Sequence, residues 1–204
     1  MAFLLRDLLF TPSCLGCGHL GEWVCQWCLN DLEVQTGRQI PYVDQVIVAN
    51  SYQGWLRDRV ISYKSGEFHL ARGLAEVLLN KCLTHLDKKI LVPIPSSLEK
   101  IKLRQLDTML HVANQIRLLD RKYQVQPNLR LIRRVSDQVG LSHLGRIENL
   151  ANAFGASQKI MADVILIDDV ITTGSTVSAA AKTLKVAGAK SVTAVALCGA
   201  GKMY

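Results

Sequence analysis

Val164-Ile165-Leu166-Ile167-Asp168-Asp169-Val170-Ile171-Thr172-Thr173-Gly174-Ser175-Thr176 decides the fold of this chain. The apolar run is short, β-branched and non-alternating, which predicts a strand buried on both faces. It ends in two adjacent carboxylates, and a Thr/Gly/Ser-rich loop follows at once. A helical pattern begins at about 176. A strand, loop and helix in this order aim backbone N–H groups at an anion. The hydroxyls add donors, and Gly174 lets the backbone approach a phosphate closely. Open α/β sheets bind ligands at the carboxyl ends of their strands, where Asp168 and Asp169 fall. Carboxylates beside a phosphate cradle would repel bare phosphate. They suit sugar hydroxyls, or a divalent cation bridging to phosphate oxygens. The plain alternative is an acidic strand end followed by a Thr-rich helix cap.

Working outward, strands and helices alternate. Strands are expected at Gln45–Tyr52, Ile90–Val92 and Val192–Leu197, with an extended stretch around Leu129 to Val135. Helices are expected at about 55–63, 68–86, 107–120 and 176–187. Trp55, Val60 and Ile61 would form the buried side of the first, Asp107 would cap the third, and Gly188 would end the last. Residues 96–104 read as a loop. The pattern is α/β, a parallel sheet with helices on both faces.

The chain has 204 residues, enough for one good core and a small appendage. No apolar run reaches the roughly 18 residues of a membrane helix. The start, Met1 to Asp7, is a poor signal peptide; Ala2 to Leu5 with Leu8 to Phe10 read as a short amphipathic helix, so a cytoplasmic protein is expected. The net charge is +7. Residues 1–43 carry two basic and four acidic side chains, so the positive excess lies wholly in the remainder. Phosphorylated ligands or nucleic acid would exploit such a field, although a merely soluble basic surface would look the same.

Cys14-x2-Cys17 and Cys25-x2-Cys28 present four thiolates to one tetrahedral ion, as structural zinc requires. Trp23 and Trp27 could cover the sulfurs. A disulfide pair is the main alternative and fits a cytoplasmic chain poorly. Cys82 and Cys198 lie in apolar stretches and read as buried small hydrophobes. The five histidines lack ligand spacing and read as structural or surface groups. The expected division is a zinc-knuckle module at 1–43, with 33–44 as its linker, and a second domain at 44–204.

The acidic pair and Thr loop resemble the type I phosphoribosyltransferases. In that family the loop holds the 5-phosphate of phosphoribosyl pyrophosphate (PRPP) and the acidic pair holds the ribose hydroxyls. The resemblance implies Asp168 and Asp169 at the ribose, and Thr172, Thr173, Gly174, Ser175 and Thr176 at the 5-phosphate. Mg2+ would accompany PRPP. Purine-salvage members carry a third carboxylate where this chain has Thr172, which argues against a purine acceptor. Arg104, after the Ile90–Val92 strand, is the implied pyrophosphate contact, since a guanidinium fits phosphate bidentately. Lys64 in Tyr-Lys-Ser-Gly is similar to the lysine of orotate-type enzymes. Arg133 and Arg134 fall where the family has a loop that closes over PRPP. Each of these cations could equally be a solvated surface group.

Knuckle, Tyr63-Lys64-Ser65-Gly66, Val92-Pro93-Ile94-Pro95, Gln138, Gly140-Leu141-Ser142, Arg146, Asn149, Phe154 and the acidic signature together resemble the ComF/GntX family. These are bacterial competence-associated proteins, and the likeness covers nearly the whole chain. Two positions depart. Arg104-Gln105-Leu106-Asp107-Thr108 stands where members read R-G-F-N-Q, which removes a permissive glycine. Val135 stands where Thr is common. The resemblance implies a role in natural transformation, with single-stranded DNA and other competence or DNA-processing proteins as partners. Lys88, Lys89, Lys100 and Lys102 are the candidate nucleic-acid contacts. No stretch interleaves aromatics with basics as a stacking groove would. Two readings stay open: an enzyme that transfers phosphoribose with release of pyrophosphate, and a non-catalytic module that senses PRPP or binds nucleic acid with the same pocket.

Overall fold

The structure, a computed structural model, describes residues 11–87, 89–132 and 153–200. In chain order the elements are α1 (Gln26–Asn30), β1 (Gln35–Thr36), β2 (Gln45–Ser51), α2 (Gly54–Lys64), α3 (Ala71–Leu78), β3 (Ile90–Pro93), α4 (Leu98–Arg104), α5 (Thr108–Leu119), β4 (Gln124–Val125), β5 (Leu129–Leu131), β6 (Phe154–Ala156), β7 (Asp163–Ile171), α6 (Ser175–Val186) and β8 (Ser191–Gly199). The main sheet has the order β1-β2-β8-β7-β3-β4, and among the described residues β5 pairs with β6 alone. Every pairing from β2 to β4 is parallel, and β1 adds an antiparallel edge.

Strand β7 lies at the centre, with Val164 beside Ile90 on one side and Val192 on the other. Its alternate residues feed two cores. Ile165 and Ile167 join Leu56, Val60, Leu74, Leu78, Val112 and Ile116 from α2, α3 and α5. Val164 and Leu166 join Val177, Ala180, Ala181 and Leu184 from α6. This two-sided burial is why the run does not alternate in polarity. The crossover from β3 leads out to β4, and the one from β7 leads the opposite way to β8. The crevice between the ends of β3 and β7 is therefore a topological switch point, where such sheets take ligands.

Several expectations need correction. The helix expected at 68–86 is composite: a 3-10 turn at Phe68–Leu70, then α3, then a π-helical turn at Leu79–Leu83. Helix α2 buries Leu56, Val60 and Tyr63, while Ile61 is exposed. The expected loop at 96–104 contains α4, capped by Ser97 accepting from Lys100 N. The expected linker contributes β1 to the sheet and Ile40 to a core. Leu15, Val24, Leu29 and Leu32 of the cysteine segment share the cluster of α2, α3 and α5. Arg59 Nε donates to Leu15 O at 2.7 Å, and Lys81 Nζ to Leu29 O at 3.0 Å. These contacts join the cysteine segment to the sheet's own core.

Gln105, at the position where the resembled family pattern reads glycine, adopts φ 56° at the C-terminus of α4. The left-handed conformation is thus adopted without the residue that favours it. Its side-chain Nε2 donates to Lys102 O at 2.7 Å, an exposed local bond. A left-handed non-glycine residue costs roughly 1–2 kcal/mol, so Gln105→Gly is expected to stabilise the fold by about 1 kcal/mol. Urea denaturation of the two proteins measures this, and a destabilised variant would contradict it.

Candidate functional site

The switch point holds a cleft of about 330 Å³. Its lining brings Lys64, Arg104, Asp168, Asp169 and Thr176 together, although they come from α2, α4, β7 and α6. Lys100 shares this cleft, so it faces the same space as the acidic pair. Sequence reading missed Ser96, Thr108, Met109 and Leu131, which also line it. The Asp107 cap and the Arg104–Thr108 stretch of the family pattern were the signals for Thr108, the first residue of α5. Phe154 lines the wall from β6, and its place in the family pattern was the one available signal.

Lys64 Nζ lies 2.8 Å from Asp169 Oδ1, with both side chains partly exposed. Lys64 is placed there by its neighbour. Tyr63 is 2% exposed, and its hydroxyl donates to Thr108 O at 2.9 Å, tying the end of α2 to the start of α5. That phenolic proton is used, so His111 Nδ1, 3.1 Å away, is the donor to Tyr63 Oη. Burial holds the Tyr63 phenol well above its ordinary pKa and lowers that of His111. Asp107 caps α5, its carboxylate accepting from Leu110 N at 3.4 Å. Burial raises its pKa, against backbone N–H groups of Leu110, Ser96 and Met109.

The loop after β7 lies beside the cleft. Thr172 and Thr173 are exposed, and Thr173 Oγ1 is 3.0 Å from Ser175 Oγ. Gly174 takes φ 82° as the N-cap of α6 and supplies no side-chain cap. The first intrahelical bond is Ser178 N to Gly174 O at 2.8 Å. The N–H groups of Thr176 and Val177 thus have no partner within the helix, which suits an anion. The other candidates are placed differently. Lys102 is exposed on α4. Lys89 is exposed just before β3, at the end of the sheet opposite the cleft. Lys88, Arg133 and Arg134 lie outside the described residues, as do Val135, Gln138, Gly140, Leu141, Ser142, Arg146 and Asn149.

The four cysteines form a second centre. Their sulfurs lie within 4.8 Å of one another, and Cys17 and Cys25 are 3.7 Å apart. Tetrahedral Zn–S bonds of about 2.3 Å imply S···S edges of about 3.8 Å, so the cluster is compatible with a structural zinc. All four are free thiols. Burial pushes the Cys14 thiol up, but N–H groups of Cys25, Cys17 and Gly16 outweigh it and bring it to about 6. Burial and the neighbouring sulfurs hold Cys28 high. Trp27 is 85% exposed and does not cover the sulfurs. Trp55 packs there from α2. A Cβ on Gly16 would fall 2.5 Å from Cys28 Sγ and 3.3 Å from the Trp55 ring, so only glycine fits between them.

Burial, then the adjacent Asp169 charge, raises the Asp168 pKa, although Asp169 N donates to its Oδ1 at 2.9 Å. A carboxyl raised on folding opposes stability once it must ionise. Its cost is full above the folded pKa and gone below the unfolded value of about 3.9. Asp168→Asn keeps the acceptor and removes the charge. It is expected to raise the melting temperature most at alkaline pH, with the gain fading toward pH 4. A gain independent of pH would refute this.

Comparison with known proteins follows the same lines. The phosphoribosyl transferase domain family matches residues 112–204. A relative, competence protein F of Haemophilus influenzae, is 28% identical over 199 residues, covering 92% of this chain and 84% of its own length. Among the described residues no helix is long and apolar enough to cross a membrane. The matched domain, the relative spanning nearly the whole chain and the four-cysteine cluster support the resemblance to the ComF family: the chain is similar to competence protein F and matches a phosphoribosyl transferase domain over residues 112–204.

Proposed function

We propose that the cleft binds PRPP and that the protein transfers its phosphoribosyl group to a nucleophilic acceptor in competence-related DNA metabolism. The observation that carries this reading is the convergence of Asp168, Asp169, Lys64, Arg104 and Thr176 on one cleft at the switch point. Asp168 and Asp169 would accept from the ribose hydroxyls. The loop Thr172–Thr176 and the start of α6 would hold the 5-phosphate. Arg104 and Lys64 would face the pyrophosphate, with Arg133 and Arg134 as further cations. In the reaction the bond from ribose C1 to pyrophosphate oxygen breaks, its electron pair leaving with pyrophosphate, and a bond from C1 to the acceptor forms. Mg2+, bound through the pyrophosphate oxygens, would neutralise charge on the leaving group.

Thr172, standing where purine-salvage enzymes have a carboxylate, favours a second reading in which the same pocket binds PRPP without turnover. Single-stranded DNA is the partner we assign to the basic surface. Its support is the positive excess after residue 43 and the position of Lys100 in the cleft. The cytoplasm is the compartment that goes with this role.

Calorimetric titration of PRPP with Mg2+ into the wild type and Asp169→Asn tests the site. The variant is expected to lose about 1.5–3 kcal/mol of binding, the value of hydrogen bonds to a charged group. Equal affinities would refute the assignment. A labelled oligonucleotide in the same solutions should be partly displaced by PRPP. Pyrophosphate release then separates transfer from sensing.

Metal analysis of the purified protein should find about one zinc per chain. Cys28→Ser should lower that content. A folded, metal-free wild type would remove zinc from the knuckle.

A further inference from the structure

Residues 37–44 behave as more than a connection between the cysteine segment and the sheet. They leave β1 and run along α6. Arg38 Nη1 donates to Ala200 O at 3.3 Å, and Ala200 N donates to Ile171 O at 2.9 Å, one residue before the Thr loop. Ile40 is 5% exposed and joins the core beneath α6. It also sits against Gly174, where a Cβ would lie 2.7 Å from Ile40 Cδ1 and 3.0 Å from Cγ1. Farther along, Lys182 Nζ lies 5.8 Å from the centre of the Tyr42 ring. Lys185 Nζ pairs with Asp44 Oδ2 at 2.8 Å, and the same oxygen accepts from Val192 N at 2.6 Å. The segment is thus fastened to both ends of α6 and touches the phosphate loop at the glycine that turns it.

We infer that residues 37–44 form a strap that holds the Thr172–Thr176 loop in its anion-binding shape, with Ile40 as the positioning residue. The inference rests on the phosphate-loop reading above. Ordering a loop residue costs backbone entropy, so a loop ordered before its ligand arrives binds more tightly. Gly174 serves twice. Its φ of 82° turns the chain, and its missing side chain leaves the space that Ile40 fills. Ile40 contacts no ligand in this scheme; it acts through the loop.

The test uses the full chain as wild type, Ile40→Ala and Ile40→Val. Ribose 5-phosphate reports on the loop, and Mg2+–pyrophosphate reports on the Arg104 side of the cleft. Ile40→Ala is expected to weaken ribose 5-phosphate about tenfold, the fold-change of ordering one residue, and to leave pyrophosphate unchanged. Ile40→Val, which keeps the branched contact, should restore most of the affinity. Hydrogen exchange should quicken at the amides of 172–176 in the alanine variant, and stay slow at Val164–Ile167. Equal losses for the two ligands, or unchanged exchange at 172–176, would overturn the strap. Should the alanine variant fail to fold, the valine variant carries both readouts with smaller shifts. A wild type that binds neither ribose 5-phosphate nor PRPP would defeat the phosphate reading, and the exchange result would then decide the strap by itself.

Discussion

Burial of β7 on both faces is the constraint from which the rest of the molecule follows. A strand with α2, α3 and α5 on one side and α6 on the other can carry charge only where that cover ends. Val164 to Ile167 are fully buried, and polar residues begin at Asp168. Parallel pairing then brings the end of β3 beside the end of β7. Pro93 lies opposite Ile167, so the loop after β3 opens next to the carboxylates. The cleft is the place where a two-faced sheet stops being covered.

Charge in that cleft is arranged by packing at a distance. Asp169 meets Lys64 because Tyr63, one residue earlier, is locked between α2 and α5. Asp168 shares little of that relief, and burial beside a second carboxylate raises its pKa. A group under this electrostatic stress gains from hydroxyl donors or a cation, which is what a ribose with Mg2+ would bring. The neighbouring loop supplies the complementary half, with hydroxyls and a helix start in place of acids. The two halves are what the proposed sugar phosphate would require, and what a bare anion would not.

Several misread elements share one cause. Helix α4 has no buried residue, so no apolar period marked it; a Ser97 cap and local bonds sustain it. The segment 37–44 looks featureless because its partners lie far along the chain: Gly174, Lys182, Lys185, Val192 and Ala200. Of the two tryptophans expected over the cysteines, Trp27 is exposed, while Trp55, from another element, lies beside Gly16 and Cys28. In α2 the buried face turned out to be Leu56, Val60 and Tyr63, chosen by the sheet it meets. The lost glycine of the Arg104 loop is the converse case. Gln105 adopts the left-handed turn at φ 56°, so the chain takes that conformation there without a glycine.

By itself the sequence determined the parallel α/β sheet, the order of its main elements, the carboxylate pair at a strand end with a Thr-rich loop after it, and the four-cysteine cluster. Each rests on residues close in the chain, where period, turn chemistry and ligand spacing act directly. Only the tertiary structure decided that Lys64 pairs with Asp169, that Lys100 and Phe154 face the same cleft while Lys89 lies at the far end of the sheet, and that Ile40 is seated on Gly174. Those relations join segments tens to more than a hundred residues apart. They exist only once the crossovers and the two cores have set the strand ends side by side, and no local pattern encodes such a distance.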